Sequence, residues 1–319
     1  MELHSVVVPV YNEELVIERF LQRARAALDS LTSYEIIFVD DGSSDGTGER
    51  IRKEALADPH IRLVELSRNF GQQIALAAGI DVAVGDTVTV MDCDLQDPPE
   101  LIPDMVAEWR KGADVVFAVR RKRSGESLPK RATAALYYRF LRVMTSVDIP
   151  VDHSEFRLIS RRVADNLRVM RERHRYTRGL VSWLGMNRAV VSYERQSRAA
   201  GETKYSYARL LRVAMDGIVS FSLRPLQLAT WLGFAAAALA VIYGIYVVLH
   251  WIITRDSIEG WSSLMVVMLL LGGTQLVTLG LIGEYIGRTY DEVRGRPLYV
   301  VSDMVGFSDG KRSSTGTSE

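Results

Sequence analysis

Val88-Thr89-Val90-Met91-Asp92-Cys93-Asp94-Leu95-Gln96-Asp97 is an apolar, β-branched run that stops on two carboxylates one residue apart. Such a run reads as a buried strand, with Asp92 and Asp94 projecting together from its end. Hard cations such as Mg²⁺ or Mn²⁺ take oxygen ligands and keep positions for substrate phosphate, so carboxylates at a strand end suit a metal-bound nucleoside diphosphate. An Asp-x-Asp alone is also common on solvated turns, and its neighbours decide between the two readings.

Working outward, apolar runs of strand length recur at Ser5 to Val10, Glu35 to Val39, Ile61 to Glu65, Thr87 to Met91 and Val115 to Val119. Helix-like segments lie between them, at Glu13 to Leu31, Asp45 to Ala57, Gln72 to Ala83 and Pro99 to Lys111. Alternation of this kind predicts an α/β domain with a mostly parallel sheet, whose ligands bind beyond the carboxyl ends of the strands. Three motifs fall at those ends: Pro9-Val10-Tyr11-Asn12-Glu13-Glu14, Asp40-Asp41-Gly42-Ser43-Ser44-Asp45 and Asp92-Cys93-Asp94. Asp40 is placed to accept from a base N–H or a ribose hydroxyl, and the residues after it spell a tight turn followed by a helix cap. Gly71, in Asn69-Phe70-Gly71-Gln72, allows close backbone approach to a ligand. No Gly-x-Gly-x-x-Gly follows the first strand, which disfavours a dinucleotide-binding enzyme.

The 319 residues exceed what one such core needs, so an appendage is expected. Lys+Arg and Asp+Glu both number 39, which argues against nucleic acid as a partner held by bulk charge. The balance conceals an asymmetry: carboxylates crowd the early chain, and Arg and Lys dominate from Arg120 to Arg212. The single cysteine, Cys93, excludes an internal disulfide framework and reads as a small filler at the strand end. No cleavable signal peptide is expected. Leu226 to Thr254 and Ser262 to Gly283 each lack a charged residue and exceed the roughly 20 residues a helix needs to span a bilayer. Arg209, Arg212 and Arg224 precede the first stretch and Arg288, Arg294 and Arg296 follow the second, which puts both flanks and both termini in the cytoplasm. The expected layout is a cytoplasmic catalytic domain over 1–204, a juxtamembrane amphipathic helix over 205–225, and two spans within 226–284. A segment over 285–319 with a disordered tail completes it. The stretch from Arg131 to Met144 also has the mixed basic and aromatic character of an interfacial helix.

These residues resemble the inverting nucleotide-sugar glycosyltransferases of family 2, whose fold is called GT-A, and within them the polyprenyl-phosphate glycosyltransferases. That group includes the bactoprenol glucosyltransferases and the dolichol-phosphate mannose synthases. The resemblance runs through the three strand-end motifs and Asn69-Phe70-Gly71-Gln72, then Leu95-Gln96-Asp97-Pro98-Pro99-Glu100, Phe156-Arg157-Leu158, Gly201-Glu202-Thr203-Lys204-Tyr205 and Gly283-Glu284-Tyr285-Ile286-Gly287-Arg288. It implies a GT-A domain followed by a two-helix transmembrane hairpin, in a bacterial inner membrane. It places Pro9, Tyr11, Glu13, Asp40, Gly71 and Asp92 around the nucleotide sugar. It places Mg²⁺ or Mn²⁺ on Asp94 and Gln96, with Asp92 beside them, and Arg120 and Arg121 next to the diphosphate. Arg123, Ser127, Arg195, Arg198 and Lys204 would then hold the acceptor phosphate. Relatives commonly carry Asp-Thr-Gly-Asp or Asp-Tyr-Gly-Cys where this chain has Asp152-His153-Ser154-Glu155, so Asp152 is expected to orient the acceptor or sugar, with Glu155 as the other candidate.

The expected reaction transfers a sugar from a UDP-sugar, UDP-glucose first, to undecaprenyl or dolichyl phosphate at the bilayer. A phosphate acceptor is already ionised at neutral pH, so no strong general base is needed. Other donors, such as GDP-mannose, UDP-galactose, UDP-GalNAc or a UDP-aminoarabinose derivative, and a glycolipid acceptor are the alternatives. A non-catalytic scaffold is a further one, and the resemblance leaves room for a homo-oligomer.

Overall fold

The computed structural model describes residues 2–120, 153–193, 224–254 and 260–307. These form two compact units, one built on a sheet and one on a helical hairpin, and the residues after the hairpin return to the first unit.

Eight strands make the sheet: β1 (His4–Val10), β2 (Tyr34–Asp40), β3 (Ile61–Leu66), β4 (Thr87–Val90), β5 (Val115–Arg120), β6 (His153–Ser160), β7 (Arg188–Tyr193) and β8 (Val301–Val305). Their order is β7-β5-β6-β4-β1-β2-β3-β8. β6 runs antiparallel between β4 and β5, and β8 runs antiparallel along β3, while the remaining pairings are parallel. Chain order therefore reverses between β1 and β4, so the loops after them part and open a crevice at the carboxyl edge.

β1 is buried along its whole length, as expected of a central parallel strand covered on both faces. It tolerates Pro9 for a local reason. Val10 O accepts from Asp41 N and Val7 O from Met91 N, so even positions face β2 and odd ones face β4. Pro9 falls beyond the last β4 pairing, Val7 with Val90, and its missing N–H breaks no rung.

Helices α1 (Ile17–Leu28), α2 (Thr47–Ala57) and α4 (Ile102–Arg110) pack Phe20, Leu21, Ile51, Met105 and Val106 against Val6, Val8, Phe38 and Leu63. Helix α3 (Gln72–Val82) covers β1 and β2 closely. A Cβ at Gly79 would stand 2.2 Å from Val7 Cγ1. Helix α5 (Arg161–Val169) is capped by Ser160, whose Oγ accepts from Val163 N, and α6 (Thr177–Trp183) follows. The expected helix from Glu13 begins only at Ile17, because Asn12, Glu13 and Glu14 are hydrogen-bonded to the loop after β2 and the start of α2. The sequence reading contained no β6, β7, β8, α5 or α6, and it left 285–319 without a strand where β8 lies.

The hairpin consists of α7 (Arg224–Thr254) and α8 (Trp261–Val293). Within Leu226–His250 and Leu264–Val293, 18-residue stretches reach mean hydropathies of 2.3 and 2.1 with none of their residues buried in the chain, so both helices are long and apolar enough to cross a bilayer. Thr230, Thr274 and Thr278 hydroxyls donate to the carbonyl four residues back, which satisfies them inside their own helices. Helix α8 runs ten residues past the expected end at Gly283.

Candidate active site

The loop after β1 is zipped to the loop after β2. Asn12 N donates to Ser43 Oγ at 3.0 Å, Asn12 Oδ1 accepts from Ser44 N at 2.8 Å, and Glu13 N donates to Thr47 Oγ1 at 2.9 Å. Asn12 takes a left-handed conformation, φ 55°, which its short polar side chain tolerates. Tyr11 is left about half exposed at the crevice, whereas Pro9 is buried in β1 and Glu13 is partly covered.

Asp40 is 6% exposed, and its Oδ1 accepts from both Ser43 N and Ser43 Oγ, so this oxygen holds the turn it was expected to precede. Asp41, which the sequence reading gave only to a turn, ties down the next loop. Its two oxygens accept from Phe70 N at 2.7 Å and Gly71 N at 2.9 Å. Burial raises its pKa in spite of those bonds. Gly42, φ 71°, lets that loop pass directly over it, since a Cβ there would lie 2.6 Å from Arg68 C. Gly71, φ 99°, faces open space on the side where a side chain would stand, which fits its expected place beside a ligand.

The loop after β4 carries the acids. Gln72 Nε2 donates to Asp92 Oδ1 at 2.7 Å, and Gln96 spans Asp94, its backbone N reaching Oδ1 at 3.0 Å and its Nε2 reaching Oδ2 at 2.7 Å. Between them Leu95 is buried with φ 59°, a conformation a γ-branched residue adopts only when its surroundings impose it. Burial, then the charges of Asp94, Glu155 and Asp97, push Asp92 up to about 7. Asp97 accepts from the Tyr193 hydroxyl at the end of β7. Cys93 is buried, and burial holds it as a thiol, in keeping with a filler role.

Below this loop, β6 brings Glu155 and Arg157 alongside β4, with Arg157 opposite Val90. Glu155 Oε1 accepts from Arg178 Nε at 2.6 Å and Oε2 from Arg157 Nη2 at 2.8 Å. Burial drives Glu155 up, and Arg157 with Arg178 outweighs it, so the carboxylate is held ionised below its ordinary range. Arg157 and Arg178 were not among the expected site residues. An acid and a base on either side of the apolar Phe156, followed by Leu158 and Ile159, is the signal that could have found Arg157. Nothing local marks Arg178, which is 23 residues from its partner.

Among the described residues no three His, Cys, Asp or Glu side chains converge as a complete metal shell. The donors that are present still fit Mg²⁺ or Mn²⁺: Asp92, Asp94 and the Gln96 amide oxygen are hard, and the raised Asp92 marks uncompensated negative charge that a divalent cation would neutralise. Asp152, Arg121, Arg123, Ser127, Arg195, Arg198 and Lys204 lie outside the described residues, as does the 205–223 segment; Arg120 ends β5.

A sheet of this order, with an acidic strand-end loop at its switch point and two apolar helices appended, is that of a GT-A-like glycosyltransferase with a membrane anchor. The chain belongs to glycosyl transferase family 2, whose profile matches residues 5–168. Residues 224–289 match the GtrB C-terminal hairpin. The chain is 47% identical to an uncharacterized glycosyltransferase of Bacillus subtilis, YkcC, covering 96% of this chain and 95% of that protein. It is 42% identical to a prophage bactoprenol glucosyl transferase homolog of Escherichia coli, covering 93% and 97%. It is 40% identical to the bactoprenol glucosyl transferase of Shigella phage SfII, covering 93% and 96%.

Proposed function

We propose that the protein transfers glucose from UDP-glucose to a membrane polyprenyl phosphate such as undecaprenyl phosphate, inverting the anomeric carbon. The observation that carries this reading is the union, in one chain, of an acidic strand-end loop on a GT-A-like sheet with a hairpin of two long apolar helices. A long isoprenoid does not leave the bilayer, so an enzyme using it must be held where the lipid phosphate emerges. The relatives named bactoprenol glucosyl transferases, matched over nearly their whole length, support the sugar and the lipid.

In this mechanism a phosphate oxygen of the acceptor attacks C1 of the sugar as the bond from C1 to the UDP oxygen breaks. UDP departs with the bonding electron pair. The acceptor is anionic at neutral pH, so no proton has to be removed from it. Tyr11 and the open face at Gly71 receive the nucleoside, and Asp92, Asp94 and Gln96 would hold Mg²⁺ or Mn²⁺, which supplies charge neutralisation for the leaving diphosphate. The family resemblance gives Arg120 and Arg121 to the diphosphate, Arg123, Ser127, Arg195, Arg198 and Lys204 to the acceptor phosphate, and Asp152 to orienting the acceptor or the sugar. Two spans return the chain to the side it left, and the arginines flanking both put that side in the cytoplasm.

The deciding experiment incubates the full-length protein in lipid with undecaprenyl phosphate, Mg²⁺ or Mn²⁺ and each of a panel of radiolabelled nucleotide sugars. The expected result is a labelled lipid product from UDP-glucose above all others. A preference for another donor corrects the sugar, and no product from any donor overturns the reading.

A further inference from the structure

Glu155 is held from three sides. Arg178 Nε and Arg157 Nη2 each take one of its oxygens, and the Gln73 side chain adds a third hydrogen bond. Gln73 Oε1 in turn accepts from Thr177 N at 3.1 Å, which fixes the start of α6 to the same cluster. A buried carboxylate whose oxygens are committed to two guanidinium groups has little capacity to take a proton. Arg178 is less enclosed. Its side chain is 31% exposed, its Nε is spent on Glu155, and its Nη groups form no hydrogen bond with the described residues. It also stands within electrostatic reach of Asp92. The first turn of a helix is the wrong end for a cation, so helix stability does not account for it.

We propose that Glu155 is a positioning residue and not a proton acceptor: by holding Nε it presents the free Nη edge of Arg178 to a phosphate oxygen of a substrate bound beside Asp92. A guanidinium fixed at one edge offers two parallel N–H donors at the other, the geometry that phosphate oxygens accept bidentately. Fixing it beforehand removes the cost of ordering a long side chain when the substrate arrives. The inference rests on the glycosyl-transfer reading, and the phosphate belongs either to the nucleoside diphosphate or to the lipid acceptor.

The test is a double-variant cycle on the full-length protein in lipid nanodiscs, with Arg178→Ala, Glu155→Gln and both together. It reads kcat and KM for UDP-glucose and undecaprenyl phosphate, and UDP binding with Mn²⁺ by titration calorimetry. If Glu155 acts through Arg178, Arg178→Ala lowers kcat/KM by about 10²-fold, Glu155→Gln lowers it by about 10-fold, and the double variant is no slower than Arg178→Ala alone. Weakened UDP binding assigns the phosphate to the donor. Unchanged UDP binding with a raised KM for undecaprenyl phosphate assigns it to the acceptor. Multiplicative losses in the double variant, or an Arg178→Ala protein with UDP binding and both KM values unchanged, overturn the proposal. Arg178→Lys, which keeps the charge and loses the fork, stands in if the alanine variant unfolds at a lower temperature, and it must show the same pattern. If the wild-type protein transfers no sugar, the functional reading fails separately, and unchanged binding of both UDP and undecaprenyl phosphate in both Arg178 variants then overturns this inference.

Discussion

Asp92, partly exposed, and Glu155, buried, are two acids in one site whose surroundings push them in opposite directions. Asp92 is raised to about 7 by burial and by neighbouring carboxylates. The folded state therefore holds its proton more tightly than the unfolded chain does, and the contribution of Asp92 to metal-free stability falls as pH rises from about 4 to about 7. Thermal unfolding of the metal-free protein is expected to show that fall, Asp92→Asn to flatten it, and Mn²⁺ to raise the midpoint more at about pH 8 than at about pH 5. Glu155 is depressed, so the stability it contributes is present above its ordinary range near 4.5 and is lost as pH falls through that range. Asp94→Ala is expected to cut transfer by at least about 10²-fold without lowering the unfolding midpoint, because it removes one of the charges that repel Asp92. The pair Asp92 and Asp94 was legible from sequence because their strand is local. The Glu155–Arg178 pair was not, because it joins a strand and a helix that only the tertiary fold brings together. Nor does any sequence rule announce the left-handed Leu95, since its conformation is imposed by burial between Asp94 and Gln96.

Among the elements, β1 to β5 and α1 to α4 could be read because each carries its own periodicity. β6 could not. It enters the sheet antiparallel between two parallel strands and carries Glu155 and Arg157 on a buried face, so its pattern lacks the apolar alternation of an ordinary strand. β8 is five residues long, has a polar middle and follows a membrane helix, so nothing local distinguishes it from a tail. It is fixed by contacts distant in sequence: Ser67 N donates to Val300 O, and Arg52 bridges Glu65 and Asp303. That bridge is partly exposed, with the Arg52 side chain 36% and that of Asp303 50% accessible, so Arg52→Ala is expected to cost about 1 kcal/mol or less in denaturant unfolding. Gly79→Ala should cost more, about 1–3 kcal/mol by the same measurement, because Val7 already occupies the space a methyl group would need.

For the whole molecule, the long uncharged runs made the hairpin readable at once, and the GtrB C-terminal hairpin profile matches the same part of the chain, residues 224–289. The lone buried cysteine gives a clean background for testing which way it crosses. A membrane-impermeant maleimide is expected to label Ser257→Cys in intact cells and Ser302→Cys only after lysis. The reverse pattern would put the sheet on the outer side.

The order of synthesis gives β8 a last consequence. Both membrane helices have left the ribosome before β8 can pair, and until it does β3 presents unpaired backbone groups along its outer side. Completion of the sheet thus waits on synthesis of the hairpin. A nascent chain whose helices stall outside the bilayer would keep an open strand margin for chaperones and proteases to seize, so quality control of the anchor and of the catalyst becomes one event.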